Sequence, residues 1–195
     1  MSRSLCFATN NLHKLEEIRA LLGPFFQLKS LEEIGSNEEL TETQDTIAGN
    51  SLQKAQYVFD QFKVACFADD TGLEVEALNN APGVFSARYA GEHKSNEDNI
   101  RLLLSNLDGI ENRKARFRSV ITLVESDSVN TFEGIVNGTI IQKKRGDKGF
   151  GYDSIFLPDG FDKTFAEMEL YEKNKISHRA IAVKKLIKFL KEKYS

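Results

Sequence analysis

The chain has 195 residues, 41% of them hydrophobic, with a formal net charge of −3 and a pI near 5.7. A chain of this length buries roughly 70% of the surface it exposes when unfolded, so it needs neither disulfides nor a structural metal to fold. The acidic balance, without a basic stripe, argues against a nucleic-acid partner, and no apolar run approaches the roughly 18 residues of a membrane span.

The elements follow in chain order. Met1-Ser2-Arg3-Ser4 leads straight into a strand-like run and not into a signal-peptide core, so a cytoplasmic location is expected. Leu5 to Ala8 reads as a short buried strand, broken by Thr9-Asn10-Asn11. Leu12, Leu15, Ile18, Leu21 and Leu22 then recur at helical spacing, with Gly23-Pro24 as the stop. Phe26 to Leu31 predicts a second strand, and residues 32 to 45 are acidic and irregular. A long helix is predicted over Thr46 to Phe62, although Gly49 inside it is unfavourable. Val64 to Ala68 predicts another buried strand, ending in Asp69-Asp70-Thr71-Gly72. Both Cys6 and Cys66 sit in apolar runs without metal-ligand spacing, and read as core residues.

Ala81-Pro82-Gly83 marks a turn, and Ser95 with Asp98 predicts a capped helix carrying Ile100, Leu103, Leu104 and Leu107. Residues 115 to 124 and 129 to 136 predict a hairpin. A glycine-rich stretch, Gly146 to Asp153, precedes the strand Ile155-Phe156. Beside it, Lys143-Lys144-Arg145 with Lys148 reads as a solvated turn. The last helix is drawn by Ile176, Ala180, Val183, Ile187, Leu190 and Tyr194. Strand, polar turn and helix at the start, with antiparallel strands in the middle, predict one α/β domain over 1–195. Its inserted lobe, with the antiparallel strands, is expected at roughly 73–150.

Chemistry concentrates at the strand ends. In an open α/β sheet, ligands sit beyond the carboxyl ends of the strands; if the first and third strands are parallel neighbours, Thr9–Asn11 and Asp69–Thr71 meet. A carboxylate there can hold a divalent cation or accept a proton from water. Alone, an Asp-Asp pair is more often a turn or a cap; what lifts it here is the company of Lys14, Glu42, Lys54 and the loop Gly149–Asp153. Adjacent strand residues face opposite ways, so Asp69 and Asp70 need not share a role. Lys14 at the start of a helix suits a phosphate chain, though singly a surface pair with Glu16 or Glu17 is the plainer reading. No Gly-x-x-x-x-Gly-Lys-Ser/Thr sequence is present, which excludes the ordinary P-loop. Lys173-Asn174-Lys175-Ile176-Ser177-His178-Arg179 places cations where the helix dipole disfavours them, and this hints at a ligand that needs donors.

Four segments together resemble one family, the inosine/xanthosine triphosphate pyrophosphatases. They are Thr9 to Glu17, Ala68 to Leu73, Gly149 to Phe156, and Lys173 with Ile176 to Arg179. A fifth, Ala81 to Gly91, matches closely without an assignable role. The resemblance implies an elongated α/β fold with a mixed sheet flanked by helices, two lobes and a central cleft, and a homodimer working with Mg2+. It implies hydrolysis of non-canonical purine triphosphates (ITP, dITP, XTP) to the monophosphate and pyrophosphate. Asp70 would be the general base and, with Glu42, a metal carboxylate. The turn Thr9, Asn10, Asn11, Leu12, His13, Lys14 would bind substrate, with Thr9, Asn11 and Lys14 on the triphosphate and Thr71 nearby. Phe150 would stack on the base, with Gly151 and Tyr152 of the same loop also binding substrate, and Asp153, Lys173, His178 and Arg179 would read its edge. Asn10 stands where the family usually has Gly, and Asn tolerates positive φ better than most residues. Gly49 stands where the family often has Glu. The expectation that unites these residues is that their loops converge on one substrate. The alternative is a nucleotide-sensing module that has lost catalysis.

Overall fold

The computed structural model describes residues 3–22 and 26–194; the predicted stop at Gly23-Pro24 lies outside them. Contacts divide the chain into two compact units. The first comprises Met1–Asp70, Ser119–Gly134 and Arg179–Ser195, and the second Thr71–Arg118 and Ile135–His178. The sequence placed the inserted lobe at 73–150. The observed divisions fall inside strands, because three long strands run through both units.

In the first unit the sheet order is β2-β1-β3-β5-β6, with β1 Arg3–Phe7, β2 Phe26–Lys29, β3 Cys66–Val75, β5 Lys114–Val124 and β6 Val129–Ile140. β1 is parallel to both neighbours, with Cys6 opposite Cys66 and Phe7 opposite Phe67. Three helices cover this sheet: α1 Leu12–Leu22, α2 Ile47–Phe62 and α5 His178–Tyr194. The period-two alternation of a strand sorts its residues between two cores. Leu5, Phe7 and Phe67 join Leu15, Ile18, Val183, Leu186 and Leu190, whereas Cys6, Ala8, Cys66 and Ala68 join Ala55 and Val58. The Phe7 and Phe67 rings stack at 4.8 Å. Both thiols are buried, and burial pushes the Cys66 thiol well up, as suits core residues.

α2 begins where predicted. The Thr46 hydroxyl accepts from the Gly49 N–H at 2.9 Å, a standard N-cap bond. Gly49 fits because a Cβ there would lie 2.8 Å from Gln44 Cβ and 2.9 Å from the capping hydroxyl. On the inner face Ser51 Oγ donates to Ala68 O at 2.9 Å and contacts Thr122 Oγ1 at 3.0 Å, which ties α2 to β3 and β5.

The second unit contains the remaining lengths of β3, β5 and β6, with β4 Pro82–Gly83 antiparallel to β3 and β7 Phe156–Pro158 antiparallel to β6. α3 Asn96–Asn106, capped by Ser95 as predicted, packs Ile100, Leu103 and Leu107 on Leu73, Phe117, Phe156 and Phe165. α4 is Leu170–Ile176.

Two expectations are corrected. β3 does not end at Ala68 but continues through Asp69, Asp70 and Thr71 to Val75, because partners inside the fold neutralise the carboxylates and the change to polar residues does not stop pairing. The last helix starts at His178, not Ile176. Ile176 closes α4 and packs in the second unit's core, and Ser177 breaks the two helices with extended backbone. The basic turn reads as predicted: Lys144, Arg145 and Lys148 pair with Glu97, Glu167 and Glu169 at the surface. Among the described residues no helix is long and apolar enough to cross a membrane.

Candidate active site

The first unit brings together Lys14, Glu42, Asp69, Asp70 and Arg179. Two residues that sequence reasoning did not place in the site, Glu17 and Asn50, join them, as does Lys54. Since β3 alternates, Asp69 faces the α1–α5 side and Asp70 the α2 side. Asp69 lies 3.1 Å from Lys14 Nζ and accepts from Arg179 Nε at 3.0 Å, while Arg179 Nη1 donates to Glu17. Glu17, Asp69 and Arg179 are all buried. Burial alone would raise Asp69, but Lys14 and Arg179 outweigh it and hold the carboxyl far below its ordinary range.

Asp70 has different company. Asn50, wholly buried, donates from Nδ2 to Asp70 Oδ2 at 3.3 Å and accepts from the Gln44 N–H at 2.9 Å. Lys54 Nζ donates to Glu42 Oε1 at 2.5 Å and lies 3.8 Å from Asp70 Oδ1. Burial would lower Lys54, but Asp70 and Glu42 override it, and its pKa rises. Burial raises Asp70 against the opposing pull of Lys54 and Lys14. A raised carboxylate is a better base than an ordinary Asp. The spacing of α2 gave no hint that Asn50 turns inward, because it also fits a solvated helix face, whereas Lys54 falls at the period of the inner positions.

The turn before α1 is built by its own side chains. Thr9 Oγ1 accepts from the Asn11 N–H at 3.1 Å, and Asn11 Oδ1 accepts from the Lys14 N–H at 3.2 Å, in the manner of an N-cap. Leu12 and His13 are exposed. Asn10 is not among the residues with positive φ, so the tolerance expected of it is not called upon. Its side chain instead ties down the segment leading to Glu42, donating to Glu38 O and accepting from the Leu40 N–H, each at 3.2 Å.

A divalent cation fits this donor set. Glu42 and Asp70 converge from two sides on one positive charge, the Lys54 ammonium, which marks where a cation is favoured. Two carboxylates are also the usual protein share of a magnesium site, whose remaining ligands are waters and phosphate oxygens. Among the described residues no three acidic, His or Cys side chains are grouped so as to hold a metal ion, so substrate or water would have to complete the shell.

The second unit assembles another group. In the glycine-rich loop the Phe150 N–H and Lys173 Nζ both donate to Asp153 Oδ2, at 2.9 and 2.8 Å. Gly149 has φ +73, and a Cβ there would lie 2.2 Å from that same oxygen, so the tucked carboxylate requires glycine. The Lys173 ammonium lies 5.2 Å from the centre of the half-buried Phe150 ring. The buried His178 ring stacks on Phe117 at 4.6 Å. Thr71 and Gly151 are partly exposed, whereas Tyr152 is buried.

The profile of the Ham1 family matches residues 5–189. The dITP/XTP pyrophosphatase of Christiangramia forsetii is 52% identical over 186 residues, covering 95% of this chain and 98% of that protein. The Bacillus subtilis dITP/XTP pyrophosphatase is 46% identical, covering 94% of each. Among solved structures, the Staphylococcus aureus Ham1 protein aligns with a TM-score of 0.90 at 37% identity, over 98% of this chain and 100% of that one. A carboxylate pair on β3 with Lys14, an aromatic and a carboxylate of the glycine loop joined by Lys173 of α4, and similarity over nearly the full length together lead to one conclusion: the chain belongs to the Ham1 family.

Proposed function

We propose that the chain is a nucleoside triphosphate pyrophosphohydrolase that hydrolyses non-canonical purine triphosphates, ITP, dITP and XTP, to the monophosphate and pyrophosphate. The observation that carries this reading is the pairing of near-full-length identity to dITP/XTP pyrophosphatases with an intact, buried Asp70 beside Lys54 and Glu42.

In this reading Asp70 takes a proton from the water that attacks the α-phosphorus, and the bond to the pyrophosphate oxygen breaks in line. Asn50 holds the Asp70 carboxylate in register, and Lys54 and Lys14 supply positive charge to the polyphosphate. The α1 turn adds backbone amides at a helix N-terminus, where Thr9 and Asn11 order the chain. A divalent ion, Mg2+ in this proposal, would be held by Glu42 and Asp70 and would draw charge from the phosphate oxygens. Arg179 commits two nitrogens to Asp69 and Glu17, and we assign it to holding β3 and Asp69 in place. Phe150 stacks on the base, with Asp153, Lys173 and His178 reading its edge. A donor set facing a 6-oxo acceptor disfavours adenine, whose 6-amino group is itself a donor. The enzyme acts as a homodimer on the cytoplasmic nucleotide pool.

Asp70→Asn should fold with an unchanged melting profile and lose roughly 10²- to 10⁴-fold in turnover of inosine triphosphate with magnesium. A near-wild-type rate would overturn the assignment. Hydrolysis in heavy-oxygen water should label the monophosphate; label in released orthophosphate would point to a different phosphohydrolase. A sensing module, the alternative reading, would bind inosine triphosphate and release no pyrophosphate.

A further inference from the structure

The segment Ala81–Gly91 carries a conspicuous motif that the proposed chemistry leaves without a role. It is held on both sides by buried polar groups of its own unit. Asn99 of α3, 2% exposed, accepts from the Ala90 N–H at 2.7 Å and donates to Ala87 O at 3.0 Å and to Ser86 O at 3.5 Å. Ser86 Oγ accepts from the Leu73 N–H on β3 at 2.8 Å and donates to Gly83 O at 2.6 Å. From the other side the Tyr152 hydroxyl donates to Ser86 O at 2.9 Å. Tyr152 thus turns inward: its ring packs in the core with Leu73, Leu103 and Phe156, and burial pushes its phenol up, keeping it a donor.

We propose that Ala81–Gly91 is the mounting of the loop 149–153, with Tyr152, Ser86 and Asn99 as positioning residues that set the stacking plane of Phe150. The inference rests on the reading that this loop receives the purine. Phe150 and Asp153 flank Tyr152 within one tight turn, closed by the bond from the Asp153 N–H to Phe150 O at 3.2 Å. Anchoring Tyr152 therefore constrains both ends of the turn, Phe150 and Asp153. The anchor is a backbone carbonyl already held by α3 and tied through Ser86 Oγ to β3, so the loop inherits the rigidity of regular elements. A functional group is positioned well only when its supporting residues are themselves locked by packing and hydrogen bonds, and small misplacements cost disproportionately.

The test is Tyr152→Phe, which keeps the ring and removes only the hydroxyl. KM for inosine triphosphate should rise about fivefold, the equivalent of one hydrogen bond, with kcat within about twofold. kcat/KM for a pyrimidine triphosphate, which fits the purine platform poorly in wild type, should stay the same. An equal loss on both substrates means a general structural role and overturns the proposal, as does an unchanged KM. Should Tyr152→Phe fail to fold, Asn99→Ala removes the second donor to the same carbonyl and carries the same expectation. Phe150→Ala separates the two layers of the argument. If it leaves KM for inosine triphosphate untouched, the base reading of the loop fails; if it raises KM while Tyr152→Phe does not, the mounting alone fails.

Discussion

Asp69 and Asp70 are adjacent in sequence and chemically opposite. Asp69 is fully committed to cations, and Asp70 is raised by burial beside a lysine shared with Glu42. Removing one member of a buried ionic network leaves the others uncompensated, at about 3–5 kcal/mol. Asp69→Asn should therefore lower stability in urea at pH 7 by about that amount, because Arg179 and Lys14 lose their shared partner. The pH dependence has a definite sign. Asp69's folded pKa lies below its ordinary 3.8, so its contribution is fully present above that value and declines as the pH falls beneath it. The gap between wild type and Asp69→Asn should narrow between pH 5 and pH 3; a gap that widens would contradict the network. Alone the Asp-Asp pair reads as a turn or a cap, and it was the company of Lys14, Glu42 and Lys54 that marked this strand as a place of chemistry. The division of labour was not legible, since it depends on Asn50 and Glu17, each of which passes in sequence for an ordinary helix residue.

At the scale of elements, the helices of the first unit were readable from their apolar period, whereas the Thr46 cap of α2 emerged only in the structure. Two element ends were misjudged for one reason. A run of apolar residues ended at Ala68 and another began at Ile176, yet chain direction is set by partners elsewhere: β3 continues because cations meet its carboxylates, and α4 and α5 separate because Ile176 and Val183 pack in different cores. Gly49, which weakened the helix reading, proves to be where the cap needs space. Gly49→Glu, the residue that the family resemblance implies at this position, should lower the melting temperature by several degrees, since its Cβ would press on Gln44 and Thr46. Thermal unfolding that matches wild type would show that the Gln44 side chain yields freely.

At the scale of the whole molecule, the homodimer implied by the family resemblance predicts a mass near twice the chain's 22.0 kDa by light scattering at micromolar concentration. A single 22.0 kDa species there would count against it. The sequence by itself determined the α/β class and the apolar stripes of the strands and helices that build the cores, because periodicity and punctuation are local properties of the chain. Only the tertiary structure decided which cation meets which carboxylate, why Asn10 stands in place of glycine and why Tyr152 faces inward. Those choices depend on groups far apart in the chain whose burial makes an unpaired charge or donor too costly to leave alone.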